Sequence, residues 1–138
     1  MTNVAVQAIR CPVGAAAVDA GEIDVTVLYE AADPFAVTLV LWLDNGMGIG
    51  WTFARDLLAD GMNGATGLGD VAITPDLLDD AVVWVCLHDP EGTGSLQLGF
   101  GRADLEWFLD GADAVVPAGT ESDHVDWDRA LWSLAGGR

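Results

Sequence analysis

The sequence predicts an α+β fold: four strands, a short central helix and three further strands, closed by two C-terminal helices. Three observations predict it. Apolar residues recur at period two through most of the first hundred positions, the period lengthens to that of a helix after residue 102, and no strand–helix–strand unit repeats. With 138 residues, 51% of them apolar and six of them Trp, the chain has the size of one domain and enough material for a core. A single domain over 1–138 is expected.

Residues 2–10 place Val4, Val6 and Ala8 on one side, and residues 22–30 do the same with Ile23, Val25, Val27 and Tyr29, so both read as strands. Between them, Pro12, Gly14 and Gly21 flank an alanine-rich stretch that reads as a loop or an extended strand end. Asp33-Pro34 supplies a turn, because proline presets φ and the aspartate accepts a local backbone hydrogen bond. The strand over 36–44 is apolar on both faces, with Val37, Leu39, Leu41 and Leu43 on one and Val40 and Trp42 on the other. That pattern predicts a central strand covered on both sides. Asn45-Gly46 signals a hairpin whose returning strand is Ile49 to Phe53.

Ala54 to Asp60 reads as a short helix carrying Leu57 and Leu58 and ending at Gly61, a residue that tolerates a left-handed helix end. Residues 61–69 read as a flexible connection. Three strands follow over 70–75, 81–88 and 95–101, the last alternating Leu96, Leu98 and Phe100 with polar or small residues. The turn between the last two is His88 to Gly94. Leu105, Phe108 and Leu109 share one face of a helix over 103–110, and Trp127, Leu131 and Leu134 share a face over 124–134.

Charge narrows the function. Twenty-two acidic residues face five basic ones, all Arg, for a net charge of −17. Phosphate contacts come from clustered Arg and Lys, so nucleic acid is an unfavoured ligand and an acidic docking surface is expected. Met1 to Arg10 alternates and has no uninterrupted apolar core of a signal peptide, and no stretch reaches a membrane span, so a cytoplasmic location without membrane insertion is expected. Cys11 and Cys86 have neither metal-ligand spacing nor a disulfide-rich pattern, which predicts reduced, partly buried thiols.

The constellations that suggest catalysis lack context. Gly46-Met-Gly48-Ile-Gly50 lies between two strands and lacks a following Lys-Ser or Lys-Thr, so it reads as a hairpin loop rather than a phosphate cradle. Cys86 and His88 share a strand face, but the cysteine belongs to an apolar run and the histidine stands at its end. His124, amid Asp123, Asp126 and Asp128, stands near a helix start where acids complement the dipole. Among so many carboxylates, Asp79-Asp80, Asp104 and Asp110 form pairs by chance. No cofactor, metal or catalytic residue is expected.

Aromatics point to protein contacts instead. A 100° helical step turns Trp107 well over 90° from the centre of the Leu105, Phe108 and Leu109 face. Trp132, with Val125 one near-heptad earlier, is displaced likewise from the face of the last helix. Tryptophans that core packing does not require are enriched at interfaces, so Trp107, Trp132 and Val125 are candidate contact residues. Phe35, after its turn, either joins them or anchors its own loop. Arg55 and Asp56 open a helix, where a structural ion pair or cap outweighs partner contact.

Three segments together, Tyr29-Glu-Ala-Ala-Asp33-Pro34-Phe35-Ala-Val37, Trp51-Thr-Phe53-Ala-Arg55-Asp56-Leu57-Leu58-Ala-Asp60-Gly61 and Gly67-Leu-Gly69-Asp70-Val71-Ala-Ile73-Thr-Pro75, resemble the SsgA-like family of sporulating actinobacteria. Leu105, Phe108-Leu109-Asp110 and Val116-Pro117-Ala-Gly119-Thr-Glu121 extend the likeness over most of the chain. The resemblance implies a Whirly-like fold of twisted antiparallel sheets packed with helices, assembled as a homotrimer. It also implies a non-enzymatic scaffold of sporulation-specific cell division, recruited to the septum, that recruits the tubulin-like GTPase FtsZ or controls cell-wall synthesis. An alternative from another class is a single-stranded nucleic-acid binder, since Whirly-like folds elsewhere do that with basic grooves and stacking aromatics; the charge opposes it. A small acidic hydrolase would need clustered carboxylates, or Cys86 with His88 in a cleft.

Overall fold

The computed structural model describes residues 3–15, 18–89, 91 and 94–125. Its elements run β1 (Val4–Ala15), β2 (Val18–Glu30), β3 (Ala36–Trp42), β4 (Gly48–Ala54), α1 (Arg55–Gly61), β5 (Thr66–Leu68), β6 (Val71–Pro75), β7 (Val82–His88), β8 (Ser95–Gly101) and α2 (Arg102–Val115), then a 3₁₀ turn at Glu121–His124. Among the described residues the strands form one antiparallel sheet in the order β4-β3-β2-β1-β8-β7-β6-β5. The α+β class stands as expected. The helix expected over 124–134 lies, apart from its first two positions, outside the described residues.

Alternation decides which side is buried in most strands; β1 is the exception, with its apolar positions Val4, Val6 and Ala8 exposed. Val25, Val27 and Tyr29, Val37, Leu39 and Leu41, Val83, Val85 and Leu87, and Leu98 with Phe100 all face one core, each at most 4% exposed. Burying each such side chain stabilises the fold by about 1.5–3 kcal/mol. On α2, Leu105, Phe108 and Ala112 recur at helical spacing and close the core against β1, β2 and β8. The sheet curls, and α1 packs on β4 at one end and on β5 and β6 at the other.

Several local expectations are corrected. The alanine-rich stretch is the extended strand end, since Gly14 pairs with Asp19 and Ala15 with Val18 at the far end of the β1–β2 hairpin. β3 is not central: it is second from the sheet edge, with Trp42 44% exposed and Leu43 beyond the strand. Its outer face is held by polar and aromatic contacts, including Trp42 Nε1 donating to Thr26 Oγ1 at 2.9 Å. The connection after α1 contains a further strand, β5, paired with β6. α2 runs five residues past Asp110, to Val115.

Gly61 has no left-handed backbone; the next residue, Met62, is right-handed as well. It is needed for closeness, because a methyl group there would overlap the Ile73 side chain. Gly46 does adopt a positive φ, of 84°, in the expected hairpin, where Met47 N donates to Asn45 Oδ1.

The β1–β8 pairing shapes the molecule most. It is confined to Val13–Leu98 and Gly14–Gln97. Pro12 has no amide to continue the ladder, and β8 ends at Gly101, where the chain turns into α2. That turn is pinned by Arg102, whose amide donates to Ala81 O at 2.7 Å and whose Nε donates to Asp80 O at 2.6 Å. From Val4 to Ile9, β1 therefore has a strand on one side and α2 near the other.

Candidate functional site

The fingerprint residues converge on a buried cation. Ala54 is extended and the helix begins at Arg55, whose amide donates to Phe35 O at 2.7 Å. The Arg55 side chain is buried, and its Nη1 donates to Tyr29 Oη at 3.0 Å and to Val116 O at 2.8 Å. The guanidinium lies 4.9 Å from the Tyr29 ring centre, with Asp113 and Glu121 carboxylates at 3.6 and 3.8 Å. Tyr29 Oη donates to Pro34 O at 2.9 Å. The two carboxylates in turn accept backbone amides, Asp113 from Ala118 and Glu121 from Gly119. A buried charge is tolerable only when paired and hydrogen-bonded in this way. Arg55 thus has the structural role expected, with partners other than Asp56: it clamps the end of β2, the Asp33-Pro34 turn, α1 and the segment after α2.

The two thiols are poor nucleophiles. Burial, with the Asp104 and Glu22 charges adding to it, pushes the Cys11 thiol up to about 12. Burial also raises Cys86. Reactive cysteines have the opposite shift. His88 is exposed at the end of β7, opposite Ser95. Among the described residues, no three His, Cys, Asp or Glu side chains gather as a metal site.

A groove of about 820 Å³ opens between the N-terminal half of β1 and α2, lined among others by Val4, Val6, Gln7, Trp107, Gly111 and Ala114. Trp107 is 70% exposed, turned away from the core as the helical step requires. Val4 and Val6 are 41% and 57% exposed, and the Gln7 carboxamide oxygen is buried without a hydrogen-bond partner. His124 lines the same groove, and half-buried Val125 follows it. Phe35 is 45% exposed on its turn and does not line this groove. Trp132 lies outside the described residues. The structure therefore places Trp107 in the groove and Val125 next to it, and sets Phe35 apart.

Sequence reasoning assigned no role to Val4, Val6 or Gln7, or to Leu77 and Leu78, which are 97% and 98% exposed. The two leucines ride on a braced loop: Asp76 Oδ1 accepts the amides of Leu78 and Asp79, and Asp76 Oδ2 accepts Trp84 Nε1 at 2.7 Å. Those bonds hold the Asp76 carboxyl below its ordinary range, the Trp84 bond most of all. Adjacent leucines between aspartates in a turn were the available signal.

Fold and groove together define a class: a small α+β protein whose described residues form one curled antiparallel sheet with an apolar groove between β1 and the helix α2. The chain belongs to the SsgA family, matching the model of the Streptomyces sporulation and cell division protein SsgA over residues 23–121. It is 43% identical over 104 residues to the sporulation-specific cell division protein SsgB of Streptomyces coelicolor, covering 75% of this chain and 74% of that protein. With SsgB of Saccharopolyspora erythraea it shares 37% over 112 residues, 81% of this chain and 78% of the relative. A solved structure of Streptomyces coelicolor SsgB superposes with a TM-score of 0.72 at 31% identity, over 90% of this chain and 98% of that one. The SsgA-like sporulation-specific cell division protein of Thermobifida fusca gives 0.73 at 26% identity, over 97% and 98%.

Proposed function

We propose that this protein is a non-enzymatic scaffold of sporulation-specific cell division, acting in the cytoplasm at the septum through contacts with the division machinery. The observation that carries the reading is Trp107, 70% exposed in an apolar groove, on a chain whose relatives are named as sporulation-specific cell division proteins. A solvated tryptophan in a groove is an anchor seeking a partner. The raised thiols argue in the same direction, since neither supplies a nucleophile at neutral pH.

The finer reading follows the family resemblance: a Whirly-like protomer assembled as a homotrimer, with FtsZ recruitment or control of cell-wall synthesis as its task. Phe35 and Val125 are proposed as further contact residues beside Trp107, and Trp132 as one from the segment beyond Val125. Light scattering checks the assembly, with the mass of three 14.4 kDa chains expected. A monomer at micromolar concentration would contradict it. A fluorescent fusion is expected at sporulation septa, with FtsZ retained by the intact chain and lost by Trp107→Ala. A fusion that stays diffuse sinks the scaffold reading.

No observation favours the nucleic-acid alternative. A net charge of −17 opposes phosphate, and weak, salt-insensitive retention of single-stranded DNA is expected.

A further inference from the structure

We infer that the groove beside β1 accepts an extended segment of a partner protein, which adds to the sheet as a strand along the open edge from Val4 to Ile9. The inference rests on the scaffold reading and supplies its mode of contact.

Hydrogen-bond parity identifies the open groups. Asn3 opposes Ala31, and the Ala31 amide donates to Asn3 O at 2.8 Å, so odd-numbered residues of β1 bond to β2. The amides and carbonyls of Val4, Val6 and Ala8 then point the other way, toward the groove. No described residue pairs with them there, because the β8 ladder ends at Val13. A row of unpaired backbone groups is a template for another strand. The groove supplies what a bare edge lacks, since Trp107 and Ala114 on α2 offer an apolar wall to alternate side chains of the incoming segment. Val4 and Val6, exposed on the other face, offer neighbours to the remaining ones. α2 passes close over this strand at Gly111, where an added methyl group would make ordinary contact with Ala5 Cβ at 3.6 Å.

Charge selects the occupant. Asp110 lines the groove of a chain carrying −17, so the segment is neutral or basic, apolar at alternate positions and free of proline. A second copy in this groove is disfavoured, because it brings the same net charge up against Asp110, and the proposed homotrimer would assemble through other surfaces.

The test uses the full chain. Amide hydrogen exchange is expected to be fast at Val4, Val6 and Ala8 and slow at Ala5, Gln7 and Ile9. Slow exchange at the even positions in the free protein would mean the edge is already covered and would overturn the inference. A displayed library of random linear peptides is then selected on the protein at low salt. Enriched peptides are expected to alternate apolar residues, lack Pro, avoid Asp and Glu, and protect the even-numbered amides. They are expected to lose about tenfold or more in affinity for Val6→Pro, which removes only a donor facing the groove. Ala114→Trp, which fills the groove from an exposed helical position, serves if the proline variant does not fold. No enrichment, or peptides indifferent to both variants, overturns the inference. So does a synthetic peptide of residues 2–10 binding as tightly as the best selected sequence, which would assign the groove to a second copy. Septal localisation that survives in Val6→Pro while selection fails sinks strand addition alone; loss of septal localisation by the unaltered chain sinks the scaffold reading itself.

Discussion

At the residue scale, the family fingerprint is a clamp. Arg55 satisfies Val116 O and Tyr29 Oη from one fork and compensates Glu121 in a buried setting. Arg55→Ala is expected to cost about 3 kcal/mol or more, read as a lowered urea midpoint. Lys at this position should recover little, because an ammonium cannot reproduce the planar fork. Gly61→Ala is expected to destabilise by about 1–3 kcal/mol through overlap with Ile73, and a midpoint unchanged from wild type would refute that close approach. Alkaline pH tests the buried thiols. Cys11 is raised from 9.0 to about 12, and Cys86 is raised too, so their neutral forms stabilise the fold fully below pH 9. That contribution is lost as the pH rises from 9 through the folded values. The urea midpoint should fall between pH 8 and pH 11, and fall less in Cys11→Ala.

At the element scale, α2 separates two jobs by its faces. Leu105, Phe108 and Ala112 hold the core while Trp107 stands outside it. Trp107→Ala should therefore shift stability by less than about 0.5 kcal/mol while abolishing partner retention. Unfolding of this variant would show the indole to be core. The β6–β7 loop has a matching division, with Asp76 bracing the turn and Leu77 and Leu78 outside it. Because Asp76 titrates below its ordinary value of 3.8, the loop's order is present above that value and is lost as the pH falls through the lower folded one. The Leu78 and Asp79 amide resonances should hold their positions from pH 7 to pH 4 and shift together below that. Asp76→Asn should abolish the transition.

At the scale of the whole molecule, two forces oppose one another. Among the described residues one curled sheet buries one core, and the chain's twenty-two acidic residues against five Arg repel one another. Screening that repulsion should raise Tm as NaCl is increased from 0.05 to 0.5 M, checked by scanning calorimetry. A Tm that falls with salt would mean that ion pairs such as Arg10–Asp24, exposed on both sides, outweigh the net charge.

The sequence by itself determined the class of fold, the buried faces of β2, β3 and β8, the hairpin at Gly46 and the outward turn of Trp107, because alternation and helical step are local geometry, whereas the apolar face read for β1, Val4, Val6 and Ala8, is the exposed one. The family likeness was legible in the same way, as turn and helix-start residues standing in register. Tertiary structure decided what those residues do. Arg55 meets Asp113 only when the end of α2, and Val116 and Glu121 only when the segment after it, pack against α1, and Gly61 meets Ile73 only when the sheet curls. Among the described residues the edge from Val4 to Ile9 has no strand beside it, because β8 pairs with β1 for two residues and then becomes a helix. Pairing between distant strands depends on how the whole chain packs, and no local pattern in Val4-Ala5-Val6 records it.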